Sequence, residues 1–303
     1  MNTIVRLVVQ QHRLSVRLVI GSALLLIATA LGLSGMITAL DLPRCIAMPV
    51  PDAGCIAAAE TMPTYYLLVK GLQAVALLLT LFAALFLGVP LVASEVETTT
   101  GIMAWTLCPD RRRWLWPRML FVVTLVTLLA GGLGLALNLL SAVTYPAESV
   151  WASFLDYQTR GPIVAAYAFV AIAAGVLAGA VTGRSLSGLL VGMLLTAALL
   201  IGLNLLGSSL NLAISPTTYE QGIGIETDQR YRNAAGDLFT AEEATSQVAG
   251  DDPAFFSTFN VVSIGVPPSA EMAVVARDVL LHLGVGLLLL VSSTKVVERR
   301  RPY

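Results

Sequence analysis

The chain has 303 residues, 56% of them hydrophobic and only 12% charged, with a net charge of -1. Soluble globular proteins carry about 25% charged residues, so this composition excludes that class and indicates an integral membrane protein. The near-neutral balance conceals charges sorted by side, a pattern that argues for membrane sorting and against nucleic acid as a partner.

Residues 1–17 are too polar to span. Arg6, Gln10, Arg13 and Arg17 recur at helical spacing beside Ile4, Val5, Val8 and Val9, which predicts a short helix lying in the membrane interface. Leu18 to Leu40 carries no charge over 23 residues, enough to cross a bilayer and longer than the apolar core of a signal peptide. A loop from Asp41 to Met62 holds Cys45 and Cys55 among several prolines. There, a bridge in an oxidising compartment and two unpaired small side chains are both open readings. The second span is predicted over Thr64 to Val89, with Lys70 and Gln73 near one end. After the polar segment 90–118, further spans are predicted over Pro117 to Val143, Pro162 to Thr182 and about Leu186 to Leu206. Only the short turn containing Arg184 separates the last two.

Residues 207–269 form the one substantial non-membrane region and are acidic, with Glu220, Glu226, Asp228, Asp237, Glu242, Glu243, Asp251 and Asp252 against Arg230 and Arg232. A hairpin is expected around Asn233 to Gly236. A short helix should follow, opened by Thr240 and Glu243 at capping-box spacing. A sixth span begins near Ser269 and ends in a basic tail within 270–303.

Six spans with both termini on one side place 12 of the 18 basic residues on that side, with only Glu95, Glu97, Asp110 and Glu298 of the 19 acids. Basic residues near span ends mark the cytoplasmic face, so both termini, the segment 90–118 and the Arg184 turn are expected in the cytoplasm of a cell-membrane protein. The fold class is an all-α integral membrane protein of six helices, with the interfacial helix, a cytoplasmic segment and a small extracytoplasmic region added.

No GxxxxGK(S/T), HExxH or CxxC occurs, so neither a phosphate-cradling loop nor a metal site is expected in this chain. Residues Gly88, Pro90, Leu91, Val92, Ala93, Glu95 and Glu97, then Ala104, Trp105 and Thr106, then Arg111, Arg112, Arg113 and Trp114, resemble the central region of ABC-2-type exporter permeases, notably those of actinobacteria. Gln11, His12 and Arg13 resemble the opening helix of the same group. The resemblance implies that this segment is a coupling helix docking on a separate ATP-binding subunit, with Glu95, Glu97, Thr100, Gly101 and Trp105 as coupling residues. It also implies a second permease subunit, identical or related, and no cofactor in this chain, since ATP and Mg would sit on the partner. The bland alternative makes the two glutamates a solvated loop face. Arg111, Arg112, Arg113 and Arg118 are expected to anchor the third span at the lipid headgroups.

Two groups of positions remain. Gly175, Gly179 and Gly183, with Gly188 and Gly192, let helices approach closely, either within the chain or between two chains. Lys70, Gln73, Asp278 and His282 are ionisable or polar groups near the bilayer, and they read either as a polar pathway or as snorkelling and paired surface groups. The function expected is ATP-driven outward movement of an apolar or amphipathic substrate such as a drug, lipid or hydrophobic peptide, without catalytic residues. An ion-coupled secondary transporter and a non-transporting sensor or assembly protein are the alternatives.

Overall fold

The computed structural model describes residues 13–41, 44–45, 52–97, 111–145, 156–213, 217–219, 225–247 and 258–299. The interfacial helix predicted over 1–17 therefore lies largely outside the described residues, although Arg13 to Arg17 run directly into the first span. The described elements are α1 (Arg13–Thr38), α2 (Ala53–Gly88), α3 (Pro90–Glu97), α4 (Arg111–Thr144), α5 (Pro162–Thr182), α6 (Ser185–Ala213), α7 (Ala241–Gln247) and α8 (Glu271–Arg299). Four strands accompany them: β1 (Thr217–Tyr219), β2 (Ile225–Asn233), β3 (Leu238–Phe239) and β4 (Phe259–Val266). Among the described residues, six helices are long and apolar enough to cross a membrane, with α2 and α3 counted together as Ala53–Glu97.

The chain divides into two compact units. The larger contains α1 to α5, most of α6 and nearly all of α8. Its core is α5, where 83% of the apolar window is buried, against 11% for α6. The sequence explains this contrast. Lipid tails are as apolar as leucine, so helices in a bilayer associate through close packing of small residues, and nearly half of α5 is Ala or Gly. By contrast, α6 turns Leu186, Leu190 and Leu194 outward.

The end of α2 lies close against α5. A Cβ on Gly88 would lie 2.7 Å from the Ile172 carbonyl oxygen, and one on Gly179 would lie 2.4 Å from that of Val89. On α6, Gly188 and Gly192 receive the side chains of Val89 and Leu85. Gly175, Gly179, Gly188 and Gly192 thus serve packing within the chain, against the second span. Gly183 does a different job, since its φ of 65° ends α5 in the left-handed turn that glycine favours.

The second span differs from its prediction. Instead of a loop to Met62, the helix begins at Ala53, because the Asp52 side chain accepts a hydrogen bond from the Cys55 amide at 2.8 Å and the alanines at 57–59 favour helix. Pro63 sits within this helix. Cys45 and Cys55 are joined by a disulfide, with their Cα atoms 5.4 Å apart.

The second unit contains the region between the fifth and last spans. Here the sequence predicted a hairpin, and the structure contains a four-stranded antiparallel sheet in the order β1-β4-β2-β3. The hairpin is its β2–β3 corner, turning through Asn233 to Gly236, where Gly236 has φ 94°. The strands missed were β1 and β4, because β4 pairs with β1 and β2, both distant from it in sequence. Phe259 and Ala244 are buried, with Tyr231 and Phe239 packed against them. The capping box forms: Thr240 Oγ1 accepts from the Glu243 amide at 3.2 Å, and Glu243 accepts from the Thr240 amide at 2.8 Å.

Candidate functional site: two polar layers at the ends of the bundle

Pro90 cannot donate a backbone hydrogen bond, so it sits where α2 ends and α3 begins. Val89 is fully buried at this joint, and its amide and carbonyl still carry helical bonds, to Leu85 and from Ala93. The short helix α3 turns Leu91, Val92, Ala93 and Glu95 inward. It packs against α5.

Glu95 was expected as a surface docking group and Arg118 as a headgroup anchor; instead the structure turns Glu95 inward and pairs the two with each other. Glu95 is 6% exposed, and its Oε1 accepts from Arg118 Nη1 of α4 at 2.8 Å. The reason is geometric. Residues i and i+4 share a helix face, so Glu95 falls on the side of Leu91, which the core holds inward. A carboxylate turned that way needs a cation, and Arg118 supplies it.

Glu97, the last residue of α3, is exposed. Its two oxygens accept from the Ser185 amide at 3.0 Å and the Ser185 hydroxyl at 2.7 Å. Ser185 opens α6, whose first amides have no partner within the helix. Glu97 therefore caps α6 from another element, and a carboxylate there also meets the positive end of the helix dipole. Ion pair and cap together bind α3 to α4 and α6, while the chain and packing join it to α2 and α5. Thr100, Gly101 and Trp105 lie outside the described residues, as do the side chains of Arg111, Arg112 and Arg113.

A second polar layer lies at the other end. From Arg118 to Asn138 is 20 residues of α4, about 30 Å along the helix, which matches the hydrocarbon core of a bilayer. Here the segment after residue 155 folds back against α4. Gly161 donates its amide to the Gly134 carbonyl at 2.9 Å, although Gly134 lies ten residues before the end of α4, about 15 Å along the helix. A Cβ on Gly134 would come within 2.1 Å of the Gly161 oxygen. Gly161 itself has φ 65° and ψ -151°, a combination open to glycine, and Pro162 then starts α5.

This folded-back segment gathers the charges. Lys70 of α2 forms an ion pair with Asp156 and lies over the Tyr66 ring at 5.2 Å. Arg160, 4% exposed, donates to Asn138 Oδ1 at 2.9 Å. Tyr157 places its hydroxyl 3.5 Å from Asp278 Oδ2. Burial raises the Tyr157 phenol above its ordinary value, so it stays protonated as a donor. Asp278 also accepts from its neighbour Arg277 at 2.7 Å.

His282 lies one turn further along α8, 2% exposed, with its ring 4.9 Å from that of Tyr167. Nδ1 is 2.6 Å from the Asp278 carbonyl oxygen. A carbonyl only accepts, so Nδ1 carries the proton. In the neutral ring Nε2 is then a buried acceptor without a hydrogen-bond partner among the described residues, a deficit of about 1–3 kcal/mol.

Of the four polar positions singled out from sequence, the structure brings Asp278 and His282 together as their spacing required. Lys70 does not join them, because Asp156 meets it. Gln73 reaches Ser141 of α4 at 3.4 Å. The residues that sequence reasoning missed are Asp156, Tyr157 and Arg160, together with Ser185. Arg160 did carry a signal: a basic residue directly before a span, on the side with few basic residues, asks for a buried partner.

Among the described residues, no group of three or more His, Cys, Asp or Glu could hold a metal ion. Neither a curated protein nor a solved structure matches the chain. A family profile, ABC-2 membrane transporter related, matches residues 16–207. That stretch covers α1 to the greater part of α6, and with it both polar layers apart from the residues on α8. More than half the chain is matched, and the apolar helices agree: the chain belongs to the ABC-2 membrane transporter related family and is a multi-pass membrane permease of the ABC-2 type.

Proposed function

We propose that this chain is the transmembrane subunit of an exporter driven by a separate ATP-binding subunit, working beside a second permease subunit. In this reading α3 and the residues after it are the docking segment, and ATP and Mg are held by the partner. The observation that carries the reading is the fastening of α3. A helix of eight residues, joined by chain to α2, ion-paired to α4 and capping α6, passes any displacement to three spans together. A simple solvated loop would need no such fastening. Coupling requires that the partner bind two arrangements of this segment with different affinity.

The Arg184 end is read as cytoplasmic, since Arg111 to Arg113, Arg118, Arg184, Lys295 and Arg299 cluster there. The disulfide at the opposite end fits an oxidising compartment. Few charged groups face the spans, so the substrate is taken to be apolar or amphipathic: a drug, a lipid or a hydrophobic peptide.

The test is purification in mild detergent followed by reconstitution. A stoichiometric ATPase chain, whose hydrolysis the permease stimulates and a Glu97→Ala variant stimulates much less, supports the proposal. Ion-driven uptake by this chain alone would establish a secondary transporter instead. Neither result would leave the sensor or assembly reading. A cysteine placed at Thr99 that reacts with an impermeant reagent in intact cells would overturn the orientation.

A further inference from the structure

The folded-back segment Asp156–Gly161 closes the bundle at the end opposite α3. It is held from three sides by different helices. Lys70 of α2 pairs with Asp156, Gly134 and Asn138 of α4 bond Gly161 and Arg160, and Asp278 of α8 meets Tyr157. Spans packed only for stability in lipid do so through small apolar residues, as α5 does with α2. Charged pairs between spans are costly there and tend to be kept for function.

Among the described residues the fastening is also incomplete. Asp156 Oδ2 is buried without a hydrogen-bond partner among them, and so is His282 Nε2, one turn of α8 beneath the Tyr157 contact. A permanent structural plug would gain from having these acceptors satisfied. A segment that is released, admitting water or the donor groups of a passing molecule, leaves them waiting in the closed state.

From these contacts we infer that Asp156–Gly161 is a gate on the transport path, with Lys70–Asp156 as its latch and His282 the first polar group behind it. The inference rests on the permease assignment and not on the source of energy, so it stands or falls separately from coupling to an ATPase.

The experiment uses the full chain in lipid nanodiscs, where both faces meet the reagent. Cys108→Ser removes the remaining thiol, Cys45 and Cys55 staying bonded. A His282→Cys probe then reports access to a bulky impermeant maleimide. With the latch intact the probe should react slowly. Lys70→Gln and Asp156→Asn should each speed labelling at least tenfold, and the exchanged pair K70D/D156K should slow it again. Asp156→Asn is nearly isosteric and decides the matter if Lys70→Gln does not yield a monodisperse protein. A second probe, Ala171→Cys in the middle of α5, should stay unreactive throughout.

Fast labelling behind an intact latch, or unchanged rates in the single variants, would overturn the gate. So would parallel acceleration at position 171, which would mean that the bundle had merely loosened.

Discussion

Replacing Arg118 with Met removes the cation beside Glu95 while keeping most of the side-chain volume. At 2.8 Å, an effective dielectric of 20 gives an attraction of about 6 kcal/mol before desolvation. Desolvation offsets several kcal/mol of that for each ion, so the net value of the pair is far smaller. The single variant is a different matter, because it strands a buried carboxylate; such losses run to about 3–5 kcal/mol. Glu95→Gln should cost less, about 1–2 kcal/mol, since a long arginine stem can carry its head to the membrane surface and Glu95 has no comparable reach. The double variant E95Q/R118M should recover at least about 2 kcal/mol relative to the sum of the singles. Reversible unfolding in mixed micelles, followed by far-ultraviolet circular dichroism, measures all four corners of the cycle. A loss below about 1 kcal/mol for Arg118→Met, or strict additivity, would mean that Glu95 is effectively solvated and that the burial argument for α3 is wrong.

Gly179→Ala would drive a Cβ to 2.4 Å from the Val89 carbonyl oxygen, a backbone atom that cannot step aside; a loss of about 1–3 kcal/mol is expected by the same unfolding assay, against little change for Gly202→Ala, where nothing lies within 4 Å. Gly134→Ala should release the Asp156–Gly161 segment, seen as faster hydrogen exchange of the Gly161 amide with the α5 amides unchanged. Glu243 is held below its ordinary value near 4.5 by the Thr240 amide and hydroxyl. The sign follows from that direction: the cap on α7 is fully present above pH 4.5 and is lost as pH falls through the depressed native value. Protection of the Thr240 amide, taken relative to the intrinsic exchange rate at each pH, should therefore fall on acidification, and Glu243→Gln should flatten the profile. Peptide mapping after alkylation without reductant should recover Cys45 and Cys55 as one linked pair, and recovery of both as alkylated thiols would contradict the structure there.

The spans were legible in the sequence because a bilayer imposes one demand on every segment within it, a run of apolar residues long enough to satisfy its own backbone. Pro162 to Thr182 was predicted to the residue, with Pro at the start and Gly after the end. Thr240 and Glu243 were legible for a similar reason, since a capping box is closed within four residues. Glu95 was not. The sequence left it on a docking or solvated face, and only the packing of Leu91 and Val92 on α5 and the fold of α4 decided that it faced Arg118. Glu97 and Ser185, 88 residues apart, could not be paired from spacing at all. The same holds for Lys70 with Asp156 and for β4 in its sheet. Sequence alone determined the class of the protein, the number of spans and their small-residue contact faces, because those follow from local transfer energies and helical period. The tertiary structure alone decided which charges meet, because an ion pair depends on two segments arriving at one place, and burial makes that meeting obligatory once one of them is inside.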